Sequence, residues 1–427
     1  MNVDWPSVPL SELVDPQRGI SYGIVQPGSP VPDGVPIVRV SDVRNGRIEV
    51  RSPLRVSADI ERAYGRTRLR GGELLITIVG TVGETAIVPP DMAGWNVARA
   101  IAVLPVKPEV GPYWVQLGLR SSAAASMIQS RLNTTVQATL NLRDLSRLPI
   151  VLPPRHERQA ISSILGALDD KIELNRRMNE TLEAMARAIF QDWFVAFGPT
   201  RAKMEGSPPY LAPDLWALFP DRLDAEGKPE GWREVPLDQI ADFLNGLALQ
   251  KYPGTGDDDL PVIKIAELRA GSPSGSDRAS RAIPPQYVVE DGDILFSWSG
   301  SLLQRVWTGG RGALNQHLFK VTSKEWPKWL HYLWVDHHLP RFQAIAASKA
   351  TTMGHIQRHH LSEAMTVIGS REIMKAADEL IAPLFQRSLA NSLESRTLAA
   401  TRDLLLPRLM SGELRVHDAE RLMETAA

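Results

Sequence analysis

The sequence predicts a mixed α/β chain in which one plan is used twice: a strand-rich globular domain, a long helix, a second such domain and a second such helix. Three observations predict it. A length of 427 residues suits two to four domains rather than one. Four strings recur in the same order, which is a signature of duplication. VPL (Val8–Leu10) returns at Val235–Leu237, and PIVRVSDVRNG (Pro36–Gly46) returns as PVIKIAELRAG (Pro261–Gly271). GELLITIVG (Gly72–Gly80) returns as GDILFSWSG (Gly292–Gly300), and TLNLRDLSRLPIVLP (Thr139–Pro153) as HIQRHHLSEAMTVIG (His355–Gly369), the offsets drifting only from 227 to 216. Finally, each copy ends in a heptad pattern.

The elements follow in order. VPIVRV (Val35–Val40), ELLITIV (Glu73–Val79) and RAIAVLPV (Arg99–Val106) are β-branched runs bounded by Gly, Pro and Asn, as strands are. LPVIKI, DILFSW and HLFKV repeat them in the second copy. Tyr113–Leu132 and Trp326–Ala347 have helical apolar spacing, the latter with a break expected at Pro340. After Pro153 and Pro154 a seam runs through Ile161, Leu165, Leu168, Ile172, Asn175, Asn179, Leu182, Ala186, Ile189 and Trp193 in alternating steps of four and three, a coiled-coil heptad. Shifted by 216, it becomes Ala377, Ile381, Leu384, Ser388, Asn391, Ser395, Leu398, Arg402, Leu405 and Leu409, with a kink expected at Pro383. Asn175 and Asn391 are equivalent, and polar seam residues fix register. Two amphipathic helices packed on their own domains are the alternative. Gly198–Trp232, dense in Pro and Gly, reads as a linker with a short helix. The division expected is a domain at 1–152, helix 153–197, linker 198–233, domain 234–370, helix 371–416 and a tail at 417–427.

Composition narrows the function. Forty-eight Lys and Arg nearly cancel 49 Asp and Glu, so any polyanion site is a local patch. The absence of cysteine excludes disulfides, thiolate metal sites and cysteine nucleophiles, and fits a reducing cytoplasm. MNVDWPSVPL lacks the basic start and apolar run of a signal peptide, and the longest apolar runs are strand-sized, so neither secretion nor a membrane span is expected.

No G-x-x-x-x-G-K-[ST] loop and no G-x-G-x-x-G fingerprint occurs, and no catalytic or cofactor-binding residue is assigned. SPPY (Ser207–Tyr210) resembles an amino-methyltransferase motif, and Asp214 with Glu226 and Lys228 has the spacing of a Mg²⁺ nuclease. Both sit in the linker without the strand such sites need. Seven of nine histidines lie between His317 and His360, but His337–His338 and His359–His360 are adjacent pairs, which point to different faces, so no metal ligand is assigned. Local charge says more. Arg39 to Arg70 holds nine Arg against four acids, and Ser301 to His360 holds eight Lys or Arg against two. A solvated charged face is the plain reading of such runs; a phosphate or guanine footprint is the functional one.

At this point the strings themselves resemble a known family. GISYGIVQPG (Gly19–Gly28), VPIVRVSDVRNG (Val35–Gly46) and NVARAIAVLPV (Asn96–Val106) look like one type of target-recognition domain. NGLALQKY (Asn245–Tyr252), LFSWSGS (Leu295–Ser301), GALNQHLFKV (Gly312–Val321) and KATTMGHIQ (Lys349–Gln357) look like another. AIFQDWFVAF (Ala188–Phe197) and LLLPRLMSGEL (Leu404–Leu414) resemble the ends of its two long helices. The family is the specificity subunit of type I restriction-modification enzymes. The resemblance implies a non-catalytic subunit whose two domains each read part of a split, asymmetric site in double-stranded DNA, with the helices as an antiparallel coiled-coil ruler. It implies two methyltransferase subunits carrying S-adenosylmethionine, and restriction subunits using ATP and Mg. Candidate DNA contacts are Tyr22, Gln26, Arg39, Arg44, Arg99, Gln137 and Asn141 in the first domain. In the second they are Gln250, Lys251, Lys264, Asn315, Gln316, His317, Lys349, Thr351, Thr352 and His355. Each has a structural alternative: Tyr22 as core, Asn141 as a helix cap. A coiled-coil scaffold with protein- or sugar-binding domains, or an enzyme using the linker motifs, are the competing classes.

Overall fold

The computed structural model describes residues 5–132, 137–254, 256, 258–273, 275, 277–348 and 354–419. Two compact units result: Met1–Asp170 with Ala399–Ala427, and Lys171–Leu398.

In the first unit, the strands Ser21–Tyr22, Ile101–Leu104, Leu74–Thr77 and Thr85–Ile87 lie in that spatial order, all antiparallel. The two middle strands have every side chain buried, which is why IAVL and LLIT read as unbroken apolar runs rather than alternating ones. A second sheet holds Leu54–Val56, Val35–Val38 and Asn96–Val97, the last two parallel. Ser7–Pro9 closes on Pro149–Val151.

The second unit repeats this plan. Asp242–Asn245, Leu318–Thr322, Ile294–Ser297 and Gln304–Val306 reproduce the four-stranded order. Arg278–Ala279, Leu260–Ile263 and Gly312–Leu314 reproduce the second sheet, again with the last two parallel, and Val288–Val289 extends it. Arg233–Pro236 closes on Met365–Ile368. The first unit instead adds a hairpin, Val43–Arg44 with Arg47–Ile48, turning on Asn45 and Gly46 at φ 52° and 83°. An Asn-Gly pair with both φ positive is the tight turn whose twist suits a hairpin.

One close approach recurs in both units. A Cβ on Gly23 would lie 1.9 Å from the Val97 carbonyl oxygen, and one on Gly246 would lie 2.2 Å from that of Asn315. Next to each glycine, Ile24 bridges Ala98 and Leu247 bridges Asn315, both in parallel. Only glycine lets the two backbones meet there.

The central helix, Arg155–Phe190, ends in a wider turn at Gln191–Val195; the C-terminal helix is Arg371–Met410. Every seam position named from the heptad is buried or half-buried. Within the second unit, Asn175 Nδ2 donates to Glu394 Oε2 at 2.8 Å, and Asn179 Nδ2 to the Ser388 carbonyl at 3.1 Å. Asn391 Nδ2 donates to Asn179 Oδ1 at 2.9 Å. Within the first unit, Arg402 Nη1 meets Asp169 Oδ1 at 2.6 Å and Arg415 lies 3.7 Å from Glu157. In each unit one segment ascends as its partner descends, so the pairing is antiparallel.

Three local expectations are corrected. Tyr113–Leu132 is two helices, Pro112–Arg120 and Ser122–Ser130, because Ser121 leaves helical geometry and its Oγ accepts from Ala124 N at 3.2 Å as an N-cap. Lys328–Ser348 continues through Pro340 without the expected break; the C-terminal helix, Arg371–Met410, spans Pro383 as one element. Both prolines are exposed, so the carbonyl each deprives four residues earlier lies on the same outward face, where water serves it. The Pro/Gly-rich stretch is also no open tether. It holds two helices, Gly198–Met204 and Pro213–Leu218, and Phe219 and Trp232 join the second unit's core, with ring centroids 5.0 Å from Trp193 and 5.6 Å from Phe194 respectively.

Candidate nucleic-acid interface

Both units build the same platform where the parallel bridge meets the four-stranded sheet. Arg99 N donates to Ile24 O at 2.9 Å, and Gln316 N to Leu247 O at 2.9 Å, so these two residues hold equivalent places. Opposite them the chain turns at Gly80 (φ 80°) and Gly300 (φ 64°), whose N–H groups donate to Ala138 O at 2.9 Å and Gly354 O at 2.8 Å. Val79 bridges Thr139, and Ser299 bridges His355.

In the first unit this platform opens into a cleft of about 750 Å³ whose walls include Ser41, Arg44, Asn45, Glu84, Arg99 and Gln137. Arg44, Arg99 and Gln137, chosen from sequence, are thus brought together. Arg44 and Arg99 are exposed and make no ion pair among the described residues. Tyr22 is 48% exposed on its edge strand rather than core, and Gln26 is exposed in the loop beyond. Asn141 takes the structural alternative: its Oδ1 accepts from Asp144 N at 2.8 Å, capping Leu142–Ser146.

In the second unit the platform is organised by Trp298, which the sequence reading did not single out. Its Nε1 donates to Asn245 Oδ1 at 2.9 Å and to Gln316 O at 3.2 Å. Its ring stands 6.0 Å from His317 and 6.2 Å from His355, centroid to centroid. Ser299 Oγ lies 3.0 Å from His317 Nδ1. Gln316, His317 and His355 are therefore neighbours, whereas Asn315 is buried with Oδ1 accepting from His317 N at 3.2 Å, a role in the backbone. Gln250 and Lys251 lie exposed on the turn Leu249–Lys251. Lys349, Thr351 and Thr352 lie outside the described residues. The signal for Trp298 was available, since SWSG puts an aromatic among small polar residues just past a strand.

Arg39 and Lys264 also occupy equivalent places, but as parts of the frame. Their backbone N–H groups donate to Asp42 Oδ2 at 2.8 Å and Glu267 Oε2 at 3.1 Å. Their side chains pair with Asp42 and Asp277. Several other members of the basic runs are engaged in the same way. Arg311 pairs with Glu290 at 2.9 Å, Lys320 with Asp293 at 2.7 Å, and Lys328 and Arg358 donate to the carbonyls of Gly292 and Phe243. In the first run Arg62 pairs with Asp59, and Arg68 with the buried Glu61, whose carboxyl Arg68 holds below its ordinary range.

The adjacent histidines depart from the expectation of opposite faces. His359 and His360 end a short helix with rings 4.0 Å apart, and with Glu363 their ligand atoms fall within 4.8 Å of one another. All three are engaged: His360 Nδ1 accepts from Gln357 N at 2.9 Å, and Glu363 lies 3.7 Å from Arg341 and 4.0 Å from His359. The Tyr210 hydroxyl of SPPY donates to Asp192 at 3.0 Å, a strut rather than an amine site. Among the described residues no helix is long and apolar enough to cross a membrane.

Residues 24–184 match the family model of the type I restriction modification DNA specificity domain. The specificity subunit of the EcoBI type I restriction enzyme of Escherichia coli is 31% identical over 196 residues, 44% of this chain and 41% of that one. Over these stretches the chain is similar to type I specificity subunits. The HindI specificity subunit of Haemophilus influenzae is 26% identical over 344 residues, 67% of this chain and 73% of its own. The match to the EcoBI subunit therefore spans about two fifths of that relative's length. The crystal structure of a type I restriction-modification S subunit from M. genitalium shares the fold over 96% of both chains, with a TM-score of 0.53 at 15% identity. The family-model match covers the first platform, and the second unit repeats that unit's strand order.

Proposed function

We propose that this chain reads double-stranded DNA for a type I restriction-modification complex, each unit contacting one part of a split, asymmetric site. The observation that carries this is one backbone platform presented twice with different side chains: Arg44, Arg99 and Gln137 in one copy, and Gln316, His317 and His355 around Trp298 in the other. Equal frames with unequal polar groups are what two readers of different base sequences require, because base edges are distinguished by donor and acceptor pattern. Catalysis falls to partners: two methyltransferase subunits with S-adenosylmethionine, and restriction subunits with ATP and Mg. The antiparallel helices serve as the spacer between the two readings. A reducing cytoplasm, where the chain meets host DNA, agrees with the lack of cysteine. Mapping methylated adenines made by the chain with its methyltransferase tests the proposal. A defined split motif is expected; methylation without sequence preference, or methyl transfer by this chain alone, overturns it.

A further inference from the structure

We infer that Arg99 and Gln316 are the paired specificity-determining residues of the two platforms, Arg99 reading a guanine in one half-site and Gln316 an adenine in the other. This rests on the DNA-reading function proposed above. The two residues are mounted alike. Each follows the parallel bridge beside the close-packed glycine, and each donates its N–H across the same gap at 2.9 Å. Each unit also carries a glycine turn held by a backbone hydrogen bond, at Gly80, which shares the cleft of Arg99, or at Gly300. The duplicated frame therefore delivers the same backbone position twice, with a different side chain on it.

Chemistry then assigns the bases. A guanidinium presents two parallel donors, which match O6 and N7 of guanine; a carboxamide presents one donor and one acceptor, which match N7 and N6 of adenine. Arg99 is exposed, without an ion pair among the described residues, and shares its cleft with Gln137, itself exposed. Its charge is not consumed by the frame, unlike those of Arg39 and Arg68. Gln316 is braced from behind, since Trp298 Nε1 holds its carbonyl at 3.2 Å while Asn245 holds the same indole at 2.9 Å. The bracing fixes the backbone of Gln316 and leaves its amide to be oriented by His317, whose Nε2 lies 3.5 Å away.

The test uses the full chain assembled with its methyltransferase, on a duplex library randomised across the methylated motif. Arg99→Gln should move one base pair of one half-site from G·C toward A·T, and Gln316→Arg should make the reverse change at one base pair of the other. Arg99→Ala and Gln316→Ala should each lose discrimination at that same base pair by about 10–100-fold, with all other positions kept. Gel filtration of each complex, with its thermal midpoint, separates misfolding from altered reading, and the exposed Arg99→Ala keeps the claim open if Gln316 variants do not assemble. Equal weakening on all sequences with a shallower salt dependence would identify a phosphate contact and overturn the assignment. So would unchanged preference in assembled variants. If the unaltered complex methylates no split motif, the underlying function fails instead, and the two failures are distinguishable.

Discussion

Acid should loosen the second unit through His331. This imidazole is 1% exposed on the helix Lys328–Ser348, and neither ring nitrogen has a hydrogen-bond partner. Burial, helped by the nearby Lys328 charge, pushes its pKa from the ordinary 6.5 down to about 4. The folded state thus keeps the ring neutral while the unfolded chain protonates it. Its contribution to stability is complete above pH 6.5 and is lost as pH falls toward 4. Between pH 7 and pH 5 this amounts to about 2 kcal/mol, rising to about 3 kcal/mol at the end of the window. Burial moves His338 the same way, also to about 4, although its bond to the Met365 carbonyl opposes the shift. Burial lowers His337 as well, so the substitution His331→Leu removes one of three such titrations and two orphaned polar atoms. Urea unfolding at pH 7 and pH 5 followed by tryptophan fluorescence is the assay, because eight of the eleven tryptophans lie within Lys171–Leu398. The variant's loss between the two pH values should be smaller than the parent's by about 2 kcal/mol. An identical loss in both proteins would refute the reasoning.

Other perturbations follow from the same contacts. Asp169 accepts from Tyr113 Oη at 2.8 Å and from Arg402 Nη1 at 2.6 Å, so Arg402→Ala should cost the first unit about 2 kcal/mol, read as a lower thermal midpoint. Asn175 and Asn391 each bury an Oδ1 without a partner, so replacing both by Leu should raise the denaturant midpoint, by about 1–3 kcal/mol in stability, while loosening the choice of register; a lower midpoint would show the pair to be better satisfied than its geometry. Gly23→Ala and Gly246→Ala should each open only their own platform, at a cost above about 3 kcal/mol, seen as new sites of limited proteolysis confined to that unit.

Much of this architecture was legible because it repeats. The shared strings fall on equivalent strands, and the heptad fell on buried positions because alternating steps of four and three have one geometric solution. The roles of the repeated residues were less legible. Arg39 and Lys264 stood out as a basic residue kept in register, yet what repeats is a capped turn with an acid three places on, Asp42 or Glu267. A charge run in sequence does not reveal the carboxylate or carbonyl brought to it from a distant segment, as Asp293 is to Lys320. Pro340 misled for a related reason: whether a proline breaks a helix depends on whether water reaches the carbonyl it strands, and that is decided by tertiary placement. Trp298 was passed over although it stands between two serines just past a strand; only the fold shows that its indole N–H ties Asn245 to the backbone of Gln316.

The first unit is assembled from two stretches far apart in sequence, Met1–Asp170 and Ala399–Ala427, with the whole of the other unit synthesised between them. At roughly 5–20 residues per second, the ribosome needs on the order of 10–50 s to make the intervening segment. For that interval Asp169 lacks Arg402 and Glu157 lacks Arg415. The order of birth is therefore not the order of completion: the second unit, contiguous in sequence, can close first, and the domain made earliest matures last. A chain stopped at Leu398 should emerge with a finished second unit and a nascent first one still in need of a chaperone.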